Sequence, residues 1–469
     1  MKKILKITII VLSFLLIGFI IWATCFNPKR GITKNFNLSE HLSTELTTKE
    51  ALQDFDFAFN KLKSRHPLWL EKTENAEKLK NLITSEYKKK RDLLRLQKKV
   101  SVTVLYQYVA EMLALLKDGH TNCSVIANDL TSIEDFTPFA VYGNPIAING
   151  INVLDLYQVF KTRFSHEVDI AIKNRFFSSY VFRTDYLALV GIDITKPATY
   201  TYKTKNGTID YVQNFIPHAE SFYPTIEDIK IFLEKNNFSQ EEISKILSTS
   251  TTENFSQNQV EGVKVVGNPN SWIWYTIDKT KDIAIFSFNQ CNYNKEYKTT
   301  LKNFFKDVKE ANINNVAVDL RNNGGGNSSV ANEFIKHLNV DKYKTWDCAV
   351  RYGPILTYFN NDYIKNNKYD TNFDGDVFIL TNNQTYSAAM DFAMLIQDNN
   401  LGKIIGEPSS NKPESYGDCL YFQLPNSKLH LSISFKKWYR IDQSKKDLLI
   451  EPDIPCDEQK AVSVLYDLI

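Results

Sequence analysis

From residue 271 onward the chain alternates short, almost wholly apolar runs with helically periodic segments. Ile283 to Phe288, Val316 to Leu320 and Val377 to Leu380 read as buried strands, and Ile404 to Glu407 as a further strand. Glu296 to Ala311, Ser328 to Leu338 and Ala388 to Gln397 read as the helices between them. Ser271 to Ile277, Cys419 to Leu424 and Leu429 to Phe435 add strands. Strands alternating with helices cannot bury their apolar faces singly, so 271–469 is expected to be a layered α/β domain.

The preceding chain differs in character. Residues 48–135 are expected to form a small helical domain. Thr48 to Arg65 has Leu52, Phe55, Phe59 and Leu62 at helical spacing, Thr48 as N-cap candidate and Pro67 as its stop. Ala76 to Leu96 and Val102 to Leu116 follow as helices. Residues 136–270 are mixed. Asn149-Gly150 sits between two short strands, Leu154 to Arg163 is helical, and Asn206-Gly207 separates the arms of a hairpin. Helices at Thr225 to Lys235 and Gln240 to Leu247 complete this part.

At the start, Lys2, Lys3 and Lys6 precede 18 uncharged residues, Ile7 to Thr24. That run nearly matches a bilayer core at ~1.5 Å per residue. A signal peptide is the alternative, but Trp22 stands where cleavage wants a small residue. Residues 1–25 are therefore expected to be a retained transmembrane anchor and 26–47 a polar stalk, with everything after about residue 30 outside the cytoplasm. The net charge of +2 and the absence of a basic, aromatic-interleaved stripe argue against a nucleic-acid partner. Six scattered cysteines include no C-x-x-C pair, which argues against zinc. They read as isolated thiols, with one or two disulfides the alternative. The sequence leaves the oligomeric state open.

Four places could carry chemistry. Ser387 lies between a buried strand and a helix, where helix N-terminal amides could stabilise an oxyanion; the simpler role for such a serine is an N-cap. Gly324-Gly325-Gly326 follows the strand Val316 to Leu320 and leaves backbone N–H groups open to a ligand, or makes a tight turn. It lacks the spacing of a nucleotide loop. His120, in Lys117-Asp118-Gly119-His120-Thr121, could be a general base. Lys412, in a turn-rich segment, could be one if a cleft desolvated it; otherwise it is a surface lysine.

Taken together, these segments resemble the tail-specific, or C-terminal-processing, serine peptidases of the S41 type. Leu116 to Thr121 resembles the family's LxDxHT segment. Val318-Asp319-Leu320-Arg321-Asn322-Asn323-Gly324-Gly325-Gly326 resembles its D-L-R-x-N-x-G-G motif. Thr385-Tyr386-Ser387-Ala388-Ala389 resembles its nucleophile turn, and Gly406-Glu407-Pro408 and Pro452-Asp453-Ile454 its later segments. The resemblance implies a layered ββα (crotonase/ClpP-like) peptidase core, with a PDZ-like piece in 136–217 that is degenerate or absent. It implies Ser387 as nucleophile, Lys412 as its base with Asp398 in support, and an oxyanion hole from Gly324, Gly325 and the Ala388 amide. A second branch of the superfamily uses a histidine matching His120 together with a late glutamate, for which Asp447 and Glu451 are the nearest acids here. The expected substrate is an extended polypeptide, with no metal or organic cofactor. Two rival readings are a catalytically impaired peptide-binding protein and an esterase-like acyl hydrolase.

Overall fold

The computed structural model describes residues 2–128, 130–250 and 262–469; within these, the side chains at 2–7, 9, 10, 21 and 248–250 lie outside what is described. A seven-stranded sheet forms the centre of the C-terminal half. Its order is Val263–Gly267, Ile273–Asp278, Ile283–Phe288, Asn315–Asp319, Asp376–Thr381, Lys403–Gly406 and Ile454–Pro455. The first three strands are antiparallel, and the rest join in parallel.

The apolar runs explain the layering. Successive side chains of a strand point to opposite faces. Ala284, Phe286, Val316, Val318, Ile379 and Ile404 enter a core covered by helices Lys295–Ala311, Ser329–Ile335 and Ala388–Asp398. Ile283, Ile285, Ala317, Phe378, Leu380 and Ile405 face the other way, against Ala461 and Leu465 of helix Ala461–Leu468. Both faces are covered, so the strands carry no polar alternation.

A second sheet links the two halves of the chain. Strand His430–Tyr439 pairs along one edge with Ser415–Gln423. Along its other edge it pairs with Asp347–Tyr352 and, from far upstream, with Asn122–Ser124. Leu420, Phe422, Leu431 and Ile433 of this sheet share one core with Phe55, Leu62, Leu105, Val109 and Met112 of the N-terminal helices. The helices of 48–135 therefore have no separate core; they pack on a sheet supplied by the C-terminal half.

Local chemistry set several boundaries. Helix Thr48–Arg65 is capped by Thr47 rather than Thr48. The Thr47 side chain accepts from the Glu50 amide at 3.3 Å, and Glu50 Oε2 accepts from the Thr47 amide at 2.9 Å. Asn149 and Gly150, both at positive φ, make the two-residue turn between Ala147–Ile148 and Ile151–Asn152. The hairpin Ala198–Thr204/Gly207–Gln213 turns at Lys205-Asn206, one residue earlier than the sequence suggests.

Residues 251–261 of the mixed region lie outside the described residues. Helix Lys2–Ile21 covers most of the expected anchor, but among the described residues no helix is long and apolar enough to cross a membrane. All six cysteines are free thiols.

Candidate active site

Strand Asp376–Thr381 and helix Ala388–Asp398 are joined by Asn382-Asn383-Gln384-Thr385-Tyr386-Ser387, a run rich in side chains that bond nearby backbone. Thr385 Oγ1 donates to the Leu320 carbonyl at 2.9 Å and accepts from the Asn382 amide at 3.0 Å. Asn382 Oδ1 accepts from the amides of Asn322 and Gln384, each at 3.0 Å. The turn is thereby stitched to the neighbouring strand's glycine loop.

At the end of this turn Ser387 stands at φ 55°, ψ −124°, and its side chain makes no cap bond to the helix. The capping role open to a serine here is not the one it plays. Such a conformation costs a non-glycine residue ~1–3 kcal/mol. Buried Asn411 holds it by accepting the Ser387 amide at 2.8 Å, and the Ser387 carbonyl accepts from the Asp391 amide at 2.9 Å.

Gly325, at φ 94°, lies against this turn. A Cβ there would stand 2.7 Å from Ser387 Cβ, 2.7 Å from the Tyr386 carbonyl and 2.9 Å from the Ala388 amide. Only glycine permits that approach. The Gly325 N–H is engaged, donating to Asn323 Oδ1 at 2.9 Å, while Gly324 is exposed. The first N–H groups of an α-helix lack intrahelical acceptors, which leaves the Ala388 amide as a donor beside Ser387.

His120 arrives from the N-terminal half. Lys117 at φ 50° turns the chain after helix Val102–Ala114, and buried Asp118 holds the loop from residue 118 to residue 121 in place. Asp118 Oδ1 accepts the His120 amide at 3.0 Å; Asp118 Oδ2 accepts Ser434 Oγ at 2.7 Å and lies 3.2 Å from His66 Nε2. The His120 carbonyl accepts Ser432 Oγ at 2.7 Å, and Thr121 Oγ1 accepts the Ser434 amide at 2.9 Å. So clamped, His120 presents Nε2 to Ser387 Oγ at 3.0 Å and Nδ1 to the Tyr386 hydroxyl at 3.2 Å.

Electrostatics favour charge at this point. Burial pushes the Asp118 carboxyl up, but hydrogen bonds and charge from His120 and His66 outweigh it and hold it well below the usual carboxylate range. Burial works against protonation of His120, yet Asp118, with Glu167 and Asp391 behind it, raises the imidazole above its ordinary value. Asp391, on the first turn of the Ser387 helix, is pushed up to about 6 by burial, against a hydrogen bond from Ser328 Oγ at 2.9 Å.

The other expected residues lie elsewhere. Lys412 lines a surface cavity of about 270 Å³ with Lys117, Glu167 and Glu414. The described bond of Ser387 Oγ goes to His120, not to Lys412. Asp398, at the far end of the helix, is buried against Arg440 in a bidentate pair, Oδ1–Nη2 2.9 Å and Oδ2–Nε 3.0 Å. It steadies the helix end rather than a base. Asp447 and Glu451 are both exposed.

Sequence reasoning overlooked Tyr386, Asn411, Ser434 and Glu167 as site residues. No local signal marks them, because each reaches the site through tertiary packing. Asp118, His120 and Glu167 bring donor atoms within 4.8 Å of one another, a spacing compatible with a cation. Asp118 already accepts three hydrogen bonds or close contacts there, and His120 faces the serine, so the cluster fits acid–base work better.

Residues 282–456 match the family model described as Peptidase family S41. No curated protein matches the chain in sequence. Among solved structures, mature CPAF complexed with lactacystin superposes with a TM-score of 0.58 at 13% identity, over 90% of this chain and 96% of that one. Mature CPAF gives 0.56 at 12% identity, over the same shares. The photosystem II D1 C-terminal processing protease gives 0.40 at 12%, over 87% and 93%. The mixed α/β fold is the one seen in mature CPAF, and the match to the S41 family model, over residues 282–456, spans both the glycine loop and the Ser387 turn.

Proposed function

We propose that the protein is a serine endopeptidase in which Ser387 attacks the peptide carbonyl and His120 takes its proton. The observation that carries this reading is the 3.0 Å contact between His120 Nε2 and Ser387 Oγ, made across two halves of the chain at a serine held in a strained turn. The tetrahedral oxyanion forms beside the Ala388 and Gly324 amides, His120 returns the proton to the leaving amine, and water then releases the acyl-enzyme. An extended or unfolded polypeptide is the substrate, because partly buried Ser387 admits a strand-like segment more readily than a folded surface. In this reading Lys412 is not the base.

The test is cleavage of an unstructured polypeptide by the full chain, followed by mass spectrometry. Ser387→Ala and His120→Ala are expected to lose at least about 10³-fold in rate, and Lys412→Ala no more than a few-fold. Lysine dependence with histidine indifference would overturn the assignment of the base. Binding without cleavage by wild type would favour the peptide-binding reading.

The same proposal has the chain held to a membrane through residues 7–24, with its catalytic part outside the cytoplasm. Support comes from the uncharged run and from the exposure of Leu12, Phe14, Leu15 and Phe19 on helix Lys2–Ile21. Retention in the membrane fraction through alkaline extraction, lost on removing residues 2–25, is the expected result; release of the intact chain would refute it.

A further inference from the structure

We propose that Glu167 is the carboxylate that orients His120 through the Tyr386 hydroxyl and balances the positive charge His120 acquires when it takes the Ser387 proton. The inference rests on the peptidase reading above and assigns a positioning residue to it.

A histidine base needs its second ring nitrogen directed by an acceptor. When Nε2 accepts from Ser387, the ring proton is on Nδ1. That nitrogen has two neighbours, the Tyr386 hydroxyl at 3.2 Å and Asp118 Oδ1 at 3.7 Å. Asp118 Oδ1 lies beyond hydrogen-bond range of the ring and already accepts the His120 amide, while Oδ2 serves Ser434 and His66. Asp118 builds the loop, and Tyr386 receives the ring proton's hydrogen bond. A tyrosine oxygen that accepts is free to donate its own hydrogen onward.

Glu167 is placed to receive it. The Cβ position above Gly119 is 2.8 Å from Glu167 Oε2 and is crowded from another side by the Tyr386 hydroxyl. Gly119 is glycine because these two oxygens fill the space a side chain would need. Glu167 Oε1 is buried and has no hydrogen-bond partner among the described residues. A buried carboxylate oxygen without a partner is rare unless something is gained elsewhere. The late acids that the family resemblance offers, Asp447 and Glu451, are exposed, so Glu167 fills a role they leave empty.

Charge and position agree. Burial, with the charge of Asp118, pushes the Glu167 carboxyl up to about 7, and His120 opposes that rise. Arg175 lines one cavity beside Glu167; Lys117, Lys412, Glu414 and Asp447 line the other, and Asp391 faces His120 from the nucleophile helix. Glu167 in its anionic form balances the charge His120 acquires with the serine proton. Hydrogen bonds run from Ser387 to His120 and from His120 to Tyr386; the onward link from Tyr386 to the Glu167 carboxylate is the one inferred, and no atom beyond the serine proton changes owner.

The experiment compares wild type with Glu167→Gln, Glu167→Asp, Tyr386→Phe and the double variant Glu167→Gln/Tyr386→Phe in the full chain. It reads kcat and KM on an unstructured peptide from pH 5 to 9, and the rate at which a fluorophosphonate labels Ser387. Glu167→Gln is expected to lower kcat by about 10- to 100-fold with KM within about 3-fold. Loss of the anion lowers the His120 pKa, so the acid limb of kcat/KM should move down by about 1 unit. Tyr386→Phe should match it, the double variant should add little, and Glu167→Asp should recover part of the rate. Activity within about 2-fold of wild type, with an unmoved acid limb, would overturn the role of Glu167 while leaving the peptidase intact. A wild type that neither cleaves nor is labelled would overturn the peptidase reading and this inference with it.

Discussion

A single methyl group added at Gly325 would meet Ser387 Cβ and two backbone atoms of its turn, each at less than 3.0 Å. Backbone cannot swing aside as a flexible side chain can, so Gly325→Ala must shift the nucleophile. We expect kcat to fall about 10²- to 10³-fold, the scale of a lost oxyanion donor, while the protein still unfolds cooperatively. Unchanged activity in that variant would mean that the loop does not set the position of Ser387. At this scale the sequence exposed the motifs and not their partners. Ser387 and the glycine loop were legible because each lies beside a buried strand whose end must turn. The choice between His120 and Lys412 was not, since it depends on a contact between residues 267 positions apart. The family resemblance favoured Lys412; the N-terminal half brings His120 to the serine.

Helix Ala388–Asp398 is fixed at both ends by different means: Asn411 beneath its start and Arg440 around its last residue. Removing one member of a fully buried ion pair leaves the other charge without a partner. Asp398→Ala should therefore cost about 3–5 kcal/mol of stability, read by denaturant or thermal unfolding. Its kcat, measured well below the lowered melting temperature, should stay within about 3-fold of wild type. A large loss of kcat in folded protein would instead return Asp398 to the catalytic role that the family pattern implies. Elements buried on both faces were the readable ones. Ile283–Phe288 begins and ends where its apolar run does. Strands Asp347–Tyr352 and Ile355–Phe359 were missed, because Asp347, Arg351 and Thr357 interrupt their pattern, and the first of them is fixed by pairing with residues 436–439, far along the chain. Helix Ala461–Leu468 was missed as well, being only 8 residues long and without a side-chain cap.

Across the whole molecule, the decisive arrangement is the shared core between the N-terminal helices and the sheet of residues 415–439. A fragment of residues 263–469 contains the entire nucleophile turn, yet it would leave Leu420, Phe422, Leu431 and Ile433 without their cover. At roughly 1.5–3 kcal/mol for each large apolar side chain, that exposure is comparable with a domain's net stability. Expressed alone, the fragment should aggregate and show no turnover; a soluble, active fragment would refute the shared-core account. The sequence suggested a helical domain, a mixed region and a catalytic core in turn, because the character of the chain changes near residues 136 and 271. It carried no sign that strand Asn122–Ser124 is donated across that boundary. The donated strand begins two residues after His120, so the act that completes the sheet also delivers His120 to Ser387. A ribosome releases the serine more than two hundred residues after the histidine, and neither is armed until the late strands dock on the early helices. In the proposed peptidase half-made copies would be unable to cut one another, and correct folding of the entire chain would be the licence to cut.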